Sequence, residues 1–421
     1  MRRLLLLALA AAAACGRPKA PSEFTLRVAV AGSLLPLAHD TDSTATTFAQ
    51  DLVYDGLLRP GPGGLESRIF ERWERAGPHR LRALLAAGPR FSDGSPVLPE
   101  DVVRAARAAS LAARADGQWI EIENAPGAPP VDAALLLTAV WKPVRGGELG
   151  TGPYRLVEQG ERLIAVERVH PAPGRIRRVE IVSFPSVREA VARALKGEAN
   201  AVIYLDERHV ELVEGVPRLR VIRSRGPHTL SVVLNTRSLG PRLRRELAQA
   251  LPGDEIAEAA QGRGSRAPSG RWQARPLRPG RPLQVAYTLM QPTAERVAFS
   301  ARRALGLRGG DVIRVDPSAG FSAVGRHDLF VMGLLAWPPG LQAYYWTTRA
   351  QRNHTGYSNP AYDAAVDAGD LERAEAELKS DPPAVPLCRY ERFAAVDARL
   401  RNATLGTWGV LDTLPDWEVS P

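Results

Sequence analysis

The sequence predicts an α/β fold in two lobes, with mixed sheets flanked by helices and a hinge between the lobes. Strand-like and helix-like patterns alternate from Tyr154 to Ile222 and again from Leu283 to Met332. The chain has 421 residues, more than the roughly 250–300 at which a single core stops growing. The strand expected at Thr229–Leu234 leads into the second unit, and strands at 385–396 lead out of it. Paired connections of this kind indicate two lobes with a ligand cleft between them.

The first fifteen residues have the parts of a secretory signal. Arg2 and Arg3 precede an apolar run, Leu4 to Ala14, of eleven residues. A membrane-spanning helix needs roughly 20, so the run is too short to span. Cys15 directly follows Ala12-Ala13-Ala14 and resembles the lipobox of bacterial lipoproteins, which implies cleavage before Cys15 and lipid attachment to its thiol. The alternative is an ordinary signal peptide that happens to contain a cysteine.

Composition limits the possible partners. The formal net charge is +9, or +7 once Arg2 and Arg3 are removed, and the arginines are spread along the chain without a block of five like charges. Nucleic-acid binding proteins usually cluster such charge on one face, so we do not expect that partner. Cys388 is the only cysteine besides Cys15 and lies in an apolar run, which predicts a buried, inert thiol.

Individual elements follow from local patterns. Phe24 to Ala31 alternates apolar and polar residues as a strand does, and residues 66–92 predict a hairpin broken at Gly77-Pro78. A helix is expected from Pro99 to about Ala113. Val131 to Val140 is expected to be a buried strand, and Val187 to Leu195 an amphipathic helix.

Six segments, in order along the chain, carry a family resemblance. Their sequences are LRVAV with LVYDGL (26–30 and 52–57), PRFSDGSPV with EDVV (89–97 and 100–103), GTGPYRL (150–156), LNT (234–236), GYSNP with Tyr362-Asp363 (356–363) and VPL (385–387). Together they resemble the family 5 solute-binding proteins of ABC transporters, which include dipeptide-, oligopeptide- and nickel-binding members. The resemblance implies a two-lobed periplasmic-binding-protein fold, type II and cluster C-like.

The resemblance also implies a domain layout. Residues 1–14 would be the signal peptide, and 15–24 the lipidated cysteine and tether. The first lobe would comprise 25–235 and 391–421, with a subdomain at about 51–149. The second lobe would comprise 236–390.

The implied function is extracytoplasmic. The chain would be lipid-anchored in the periplasm or cell envelope and would capture a small solute or peptide-like ligand by hinge closure. It would deliver the ligand to the transmembrane subunits of an ABC permease, as a monomer that needs no cofactor and catalyses no reaction. One alternative is a degenerate member that acts as a receptor or docking protein. A less favoured one is an exported hydrolase, although no G-x-S-x-G or metal-ligand spacing occurs.

One departure from the family pattern concerns the ligand. In peptide-binding members, a run similar to GWxADYPDP supplies a tryptophan and an acid for the ligand's α-amino group. The matching run here, MGLLAWPPG at 332–340, has no acid, and Leu334 stands where tryptophan is expected. We therefore expect a ligand that is not held by a peptide amine.

Candidate ligand residues come from the expected cleft. They follow the first strand, form an aromatic run in the second lobe, or lie beside the hinge. The alternatives are core packing for the aromatic residues and a surface or turn position for the histidine. The candidates are Ser33, Leu34, His228, Trp337, Tyr344, Tyr345 and Tyr390.

Overall fold

The computed structural model describes residues 24–61, 64–224, 228–251, 280–307, 311–335, 342–389, 391–406 and 409–420. The predicted signal peptide and Cys15 lie outside the described residues. Two of the candidate ligand residues, Trp337 and Tyr390, also lie outside them.

The strands form two large sheets and several small ones. In chain order they are β1 (Thr25–Ala31), β2 (Arg59–Gly61), β3 (Gly64–Glu66), β4 (Phe70–Arg75), β5 (Arg80–Leu85), β6 (Ala112–Asp116), β7 (Trp119–Glu123), β8 (Trp141–Val144), β9 (Gly147–Gly150), β10 (Tyr154–Gln159), β11 (Leu163–Arg168), β12 (Arg178–Phe184), β13 (Ala201–Leu205), β14 (Leu219–Ser224), β15 (His228–Leu234), β16 (Val285–Thr288), β17 (Val312–Val315), β18 (Leu329–Leu335), β19 (Ala384–Arg389), β20 (Arg392–Asp397), β21 (Leu400–Arg401) and β22 (Glu418–Val419).

The helices cover the faces of these sheets. The α-helices are α1 (Thr47–Val53), α2 (Pro99–Ala108), α3 (Val131–Leu135), α4 (Val187–Lys196), α5 (Glu207–Val213), α6 (Pro241–Ala250), α7 (Pro292–Ala304), α8 (Ala343–Trp346), α9 (Pro360–Asp367) and α10 (Leu371–Ser380). Three short 3₁₀ helices span Pro317–Ala319, Phe321–Arg326 and Leu414–Asp416.

The first lobe is built on a seven-stranded sheet with the order β10-β11-β12-β1-β13-β20-β14. β1 lies parallel to both β12 and β13, with Val28 opposite Ile181 and Ala201. Alternate residues of β1 enter two cores: Val28 packs on the face that α1 covers, and Ala29 on the face that α4 covers. Burial on both faces explains why β1 is almost entirely apolar.

The subdomain of the first lobe has a four-stranded antiparallel sheet, β4-β5-β7-β6. The predicted hairpin at residues 66–92 is confirmed as β4 and β5, which are joined through Gly77 at a φ of 97°. One face of this sheet packs against α2 and α3 in a core that includes Phe70, Ile120 and Val131.

The second lobe has a five-stranded sheet with the order β17-β16-β18-β15-β19. β16 is parallel to β17 and β18, and β15 is antiparallel to β18 and β19. Leu230 packs with α6 and α7 on one face, whereas Val233 packs with α9 on the other. Cys388 on β19 is buried as predicted, and burial raises the pKa of its thiol to about 11.

The border between the lobes differs from the prediction. β15 pairs with β18 and β19, so Thr229–Leu234 lies in the second lobe rather than in the first lobe up to residue 235. The chain crosses between β14 and β15, and returns between β19 and β20. A strand's pattern shows that it is buried, but its partners are decided by tertiary pairing.

Two other expectations require correction. Val131 to Val140 does not form a strand, because Val131–Leu135 is the helix α3; alanine and leucine there favour helix. The helix from Pro99 ends at Ala108 instead of near Ala113. Ser110 adopts a φ of 63°, and the Ser110 and Leu111 amides donate to Arg107 and Ala106, a Schellman termination.

The amphipathic helix predicted at Val187–Leu195 is confirmed as α4. Ser186 Oγ accepts a hydrogen bond from the Glu189 amide at 3.2 Å, and Gly197 ends the helix at a φ of 84°. Ala194 is buried, whereas Leu195 is 39% exposed.

Candidate functional site

The two large sheets meet along facing edges. Because β13 and β14 are antiparallel to β20, the carboxyl ends of β1, β13 and β14 share one edge with Arg392. In the second lobe, the carboxyl ends of β16, β17 and β18 share an edge with His228. Both chain crossings join these two edges. Ligands of α/β proteins bind beyond the carboxyl ends of strands, so we consider this region, the hinge edge, as the candidate site.

Ser33 lies on the hinge edge and contacts the second lobe. Its amide donates to both carboxylate oxygens of Asp316 at 3.3 Å, and its Oγ lies 3.3 Å from Oδ2. Gly32 has a φ of 95°, and a Cβ there would lie only 2.4 Å from Cδ of Pro317. The side chain of Leu34 turns into the first-lobe core and is 7% exposed. The segment that follows β1 therefore contacts Asp316 and Pro317 of the second lobe.

Asp42 makes a second contact between the lobes. Its carboxylate accepts hydrogen bonds from the Phe321 amide at 3.1 Å and the Ser322 amide at 3.4 Å. Nη1 of Arg352 donates to Oδ1 of Asp42 at 2.9 Å. Nε of Arg352 donates to the Tyr344 hydroxyl at 3.0 Å.

A buried charged cluster lies behind the hinge edge. Arg392 is 3% exposed, and its guanidinium donates to the Gly406 carbonyl. Burial, with the nearby charge of Arg392, lowers the pKa of His228 to about 3, so the imidazole is neutral at physiological pH. Burial also raises the pKa of Tyr204, which has a φ of 59° at the irregularity in β13.

The charged cluster was not predicted from the sequence. Arg392 precedes the buried segment Phe393–Val396 directly after the return crossing. An arginine that opens an apolar strand beside a hinge is a signal that could have identified it. Asp51 of α1 belongs to the same cluster, because its carboxylate interacts electrostatically with Arg392. Asp51 and Tyr204 carry no such signal, because an acid in a short helix and a tyrosine in a strand are common.

The described part of the predicted aromatic run is largely packed. Tyr344 is 6% exposed and joins the subdomain core, while Tyr345 is partly buried, with its ring centroid 5.3 Å from that of Tyr344. A cavity of about 180 Å³ lies between the subdomain and the second lobe. Its lining includes Leu111, Asn124, Pro129, Tyr344, Arg349 and Gln351.

Several histidines pair with carboxylates. His39 Nδ1 lies 3.0 Å from Glu148, His79 Nε2 lies 2.7 Å from Asp367, and His209 Nδ1 lies 2.6 Å from Asp206. Among the described residues, no group of three or more histidine, cysteine or acidic side chains could hold a metal ion. Within the same ranges, no helix has the length and apolar composition needed to cross a bilayer.

Comparison with solved structures identifies the fold. The oligopeptide-binding protein AppA from Bacillus subtilis, in complex with a nonapeptide, matches with a TM-score of 0.77 and 14% identity, over 94% of this chain and 99% of that one. The PBP AgaA from A. tumefaciens R10, in complex with agropinic acid, matches with a TM-score of 0.76 and 15% identity, over 94% and 99%. NikA from Staphylococcus aureus, in complex with Ni(L-His)₂, matches with a TM-score of 0.75 and 13% identity, over 92% and 97%.

The chain has the two-lobed fold of periplasmic binding proteins. The α/β fold class predicted from the sequence is thereby confirmed. No protein-family model matches the sequence. No curated protein matches it either.

Proposed function

We propose that this chain is a solute-binding protein of an ABC import system, which captures a small solute or peptide-like ligand between its lobes. The observation that carries the proposal is the match, over 92–94% of the chain, to structures of binding proteins in complex with a nonapeptide, agropinic acid or Ni(L-His)₂. Two chain crossings between facing sheet edges supply the hinge that such capture requires.

The ligand is proposed to be something other than a peptide held by its amine. The run 332–340 contains no acid. The nearby Asp328 is engaged elsewhere, because its carboxylate is bound by Arg281 at 2.8 Å and by Ser238 at 2.7 Å.

A thermal-shift screen tests the proposal. The mature chain from residue 15, carrying Cys15→Ser, would be screened against peptides, amino acids, sugars, agropinic acid and nickel–histidine complexes. One ligand class should raise the melting temperature, since a ligand at a hundred times its Kd stabilises the folded state by about 2.7 kcal/mol. The absence of any shift across these classes would contradict solute capture.

A second candidate function is a docking protein that has lost its transport ligand. The observation in its favour is the direct contact between the lobes, where Ser33 meets Asp316 and Gly32 meets Pro317. This candidate predicts no stabilisation in the screen, and co-purification of a protein partner in place of a solute.

Membrane attachment through Cys15 is part of the proposal. The short apolar run and the adjacent alanines support lipidation, and the permease subunits would be the partner at the membrane. Cys15→Ser should move the protein from the membrane fraction to the soluble fraction, as measured by fractionation and immunoblotting. Cys388→Ser is the control and should leave the distribution unchanged. Continued membrane retention of Cys15→Ser would contradict lipidation.

Trp337 is proposed as an aromatic ligand contact. Once a ligand is identified, Trp337→Ala should weaken its binding by about 2 kcal/mol or more if the ring is a central anchor, as measured by calorimetry. Trp119→Ala is the control, because that ring lies between Arg72 and Arg82 on the subdomain sheet. Unchanged affinity of Trp337→Ala would remove the residue from the site.

A further inference from the structure

The cavity of about 180 Å³ between the subdomain and the second lobe is a separate feature from the hinge edge, because its described lining includes no hinge-edge residue. Of the candidate ligand residues that the structure describes, Tyr344 is the one that lines it. We propose that this cavity binds a small monocarboxylic acid with a compact apolar body. The site goes beyond the proposed solute capture, which concerns the hinge edge.

The wall of the cavity is mainly apolar. Leu111 of the subdomain and Tyr344 of the second lobe are both buried there. An apolar cavity of about 150 Å³ is enough to hold benzene, so this volume accommodates one six-membered ring or a branched chain of similar size. The other apolar lining residues are Ala109, Ala125, Ala128, Pro129 and Ala134.

The polar part of the described lining carries one cation and no acid. Arg349 is exposed, and no carboxylate within the described ranges pairs with its guanidinium. The amide nitrogens of the lining are already engaged: Nδ2 of Asn124 donates to the Pro129 carbonyl at 2.9 Å. Nε2 of Gln351 likewise donates to the Ala109 carbonyl. Arg349 is therefore the lining residue that can add a charged contact, and its planar guanidinium suits a carboxylate because it can donate two parallel hydrogen bonds.

Two acids of α9 lie near this region without lining the cavity. Asp363 accepts a hydrogen bond from the Thr348 amide at 3.0 Å. Asp367 accepts one from the Gly127 amide at 3.0 Å and lies 2.7 Å from Nε2 of His79. Both carboxylates therefore have donors of their own, and they leave the cation of the lining to a ligand.

The walls of the cavity are fixed by contacts of the chain itself. The Arg349 amide donates to the Gly127 carbonyl at 3.1 Å, which joins the second lobe to the subdomain. The hydrogen bond from Gln351 to the Ala109 carbonyl joins the same two parts. The Tyr344 side chain packs in the subdomain core. Binding to ordered walls costs less conformational entropy than binding that has to assemble them.

A saturation-transfer NMR titration tests the proposal with benzoate as the probe. The mature chain carrying Cys15→Ser would be used. Benzoate joins a six-membered ring to one carboxylate, and benzyl alcohol has the same ring without the charge. Benzoate should bind more tightly than benzyl alcohol, because only benzoate can pair with Arg349.

Arg349→Gln tests the carboxylate contact. It should weaken benzoate binding about threefold to tenfold, because a charge-assisted hydrogen bond at an exposed position is lost. It should leave the binding of benzyl alcohol unchanged. Arg303→Gln, at another exposed arginine of the second lobe, is the matched control and should change neither Kd.

Ala128→Leu and Ala134→Leu test the apolar wall. Each should weaken the binding of both probes roughly tenfold or more, because the added carbons occupy the cavity and the close-packed surroundings cannot yield. Ala87→Leu, at an exposed alanine of the subdomain, is the matched control and should bind as the parent chain does. Circular dichroism checks that each variant is folded.

The proposal is overturned if benzoate does not bind, if Arg349→Gln leaves its Kd unchanged, or if both leucine variants do. Arg349→Gln alters an exposed side chain, so this result does not depend on repacking of the core. Failure here would leave the proposed solute capture standing, because the screen for solute capture uses other ligands and no cavity variant.

Discussion

At the scale of single residues, Asp51 is an acid whose pKa is strongly raised. Burial raises its pKa from 3.8 to about 8; the neighbouring charge of Asp412 raises it further, and Arg392 opposes the shift. Within the described ranges, Oδ2 of Asp51 is buried and accepts no hydrogen bond. The loop of Gly409 packs against this carboxylate, and a Cβ on Gly409 would lie 2.3 Å from Oδ2. The folded protein therefore favours a protonated Asp51.

This raised pKa predicts how stability depends on pH. Because the folded-state pKa of Asp51 lies above its unfolded value, its contribution is complete below about pH 4 and is lost as the pH rises through about 8. Asp51→Asn keeps the shape and cannot ionise, so it should remove this loss, which amounts to at most about 1.4 kcal/mol per pH unit.

Urea unfolding of wild type and Asp51→Asn between pH 5 and pH 9 measures the effect. The difference in the free energy of unfolding should grow in favour of the variant as the pH rises. Asp40→Asn, on the exposed surface, is the control and should run parallel to wild type. Parallel curves for Asp51→Asn as well would contradict the raised pKa.

At the scale of elements, the segment GTGP brings the end of β9 against α1. The Gly152 amide donates to the Val53 carbonyl at 2.9 Å. A Cβ on Gly150 would lie 2.0 Å from the Val53 carbonyl oxygen, and one on Gly152 would lie 2.5 Å from that of Leu52. These two carbonyl oxygens belong to the backbone of α1, so they cannot move aside without displacing the helix. Close packing of two chain segments, rather than turn geometry, therefore requires these two glycines.

Alanine at these positions should disrupt the junction between β9 and α1. Gly150→Ala and Gly152→Ala should each lower the free energy of unfolding by about 1–3 kcal/mol, the usual cost of overpacking. Gly160→Ala is the matched control, because no atom lies within 4 Å of a Cβ there. It should change stability by less than about 0.5 kcal/mol. Equal effects at all three positions, measured by chemical denaturation, would contradict the packing argument.

At the scale of the whole molecule, Asp206 ties the two lobes and α5 together. Its side chain is fully buried, and its carboxylate accepts from His209 and from Arg296 of α7 in the second lobe, the latter at 2.6 Å. Burial alone would raise the pKa of Asp206. The hydrogen bonds and charge of His209 and the charge of Arg296 outweigh burial and hold the pKa at about 2.

This lowered pKa predicts the response of the molecule to acid. The folded-state pKa lies below the unfolded value, so the contribution of Asp206 is complete above about pH 4 and is lost as the pH falls towards 2. A difference of nearly two pKa units corresponds to about 2–3 kcal/mol. Asp206→Asn should lower the free energy of unfolding by that amount at pH 6. The free energy of unfolding of the variant should also change less than that of wild type as the pH falls.

Urea unfolding between pH 2.5 and pH 6 measures this difference. Asp311→Asn, which changes an exposed carboxylate, is the control and should follow wild type. A stability of Asp206→Asn equal to that of wild type at pH 6 would show that the ionised carboxylate contributes nothing to the folded molecule.

The sequence by itself determined the α/β class and most of the elements. β1, the β4–β5 hairpin and α4 were predicted because strand and helix periodicity, Gly-Pro turns and caps are local properties. The end of α2 was missed, because the left-handed backbone at Ser110 has no composition signal. The resemblance also pointed to the region of β1 and the hinge where the two sheets meet.

Only the tertiary structure decided which residues meet across the lobes. β15 belongs to the second lobe because it pairs with β18 and β19. Asp42 reaches the Phe321 amide across 279 positions of sequence, and Asp51 has a raised pKa because distant segments bury it beside Asp412. Periodicity reports which face of an element is buried. It carries no information about what that face is buried against, and the contacts and the pKa values depend on those neighbours.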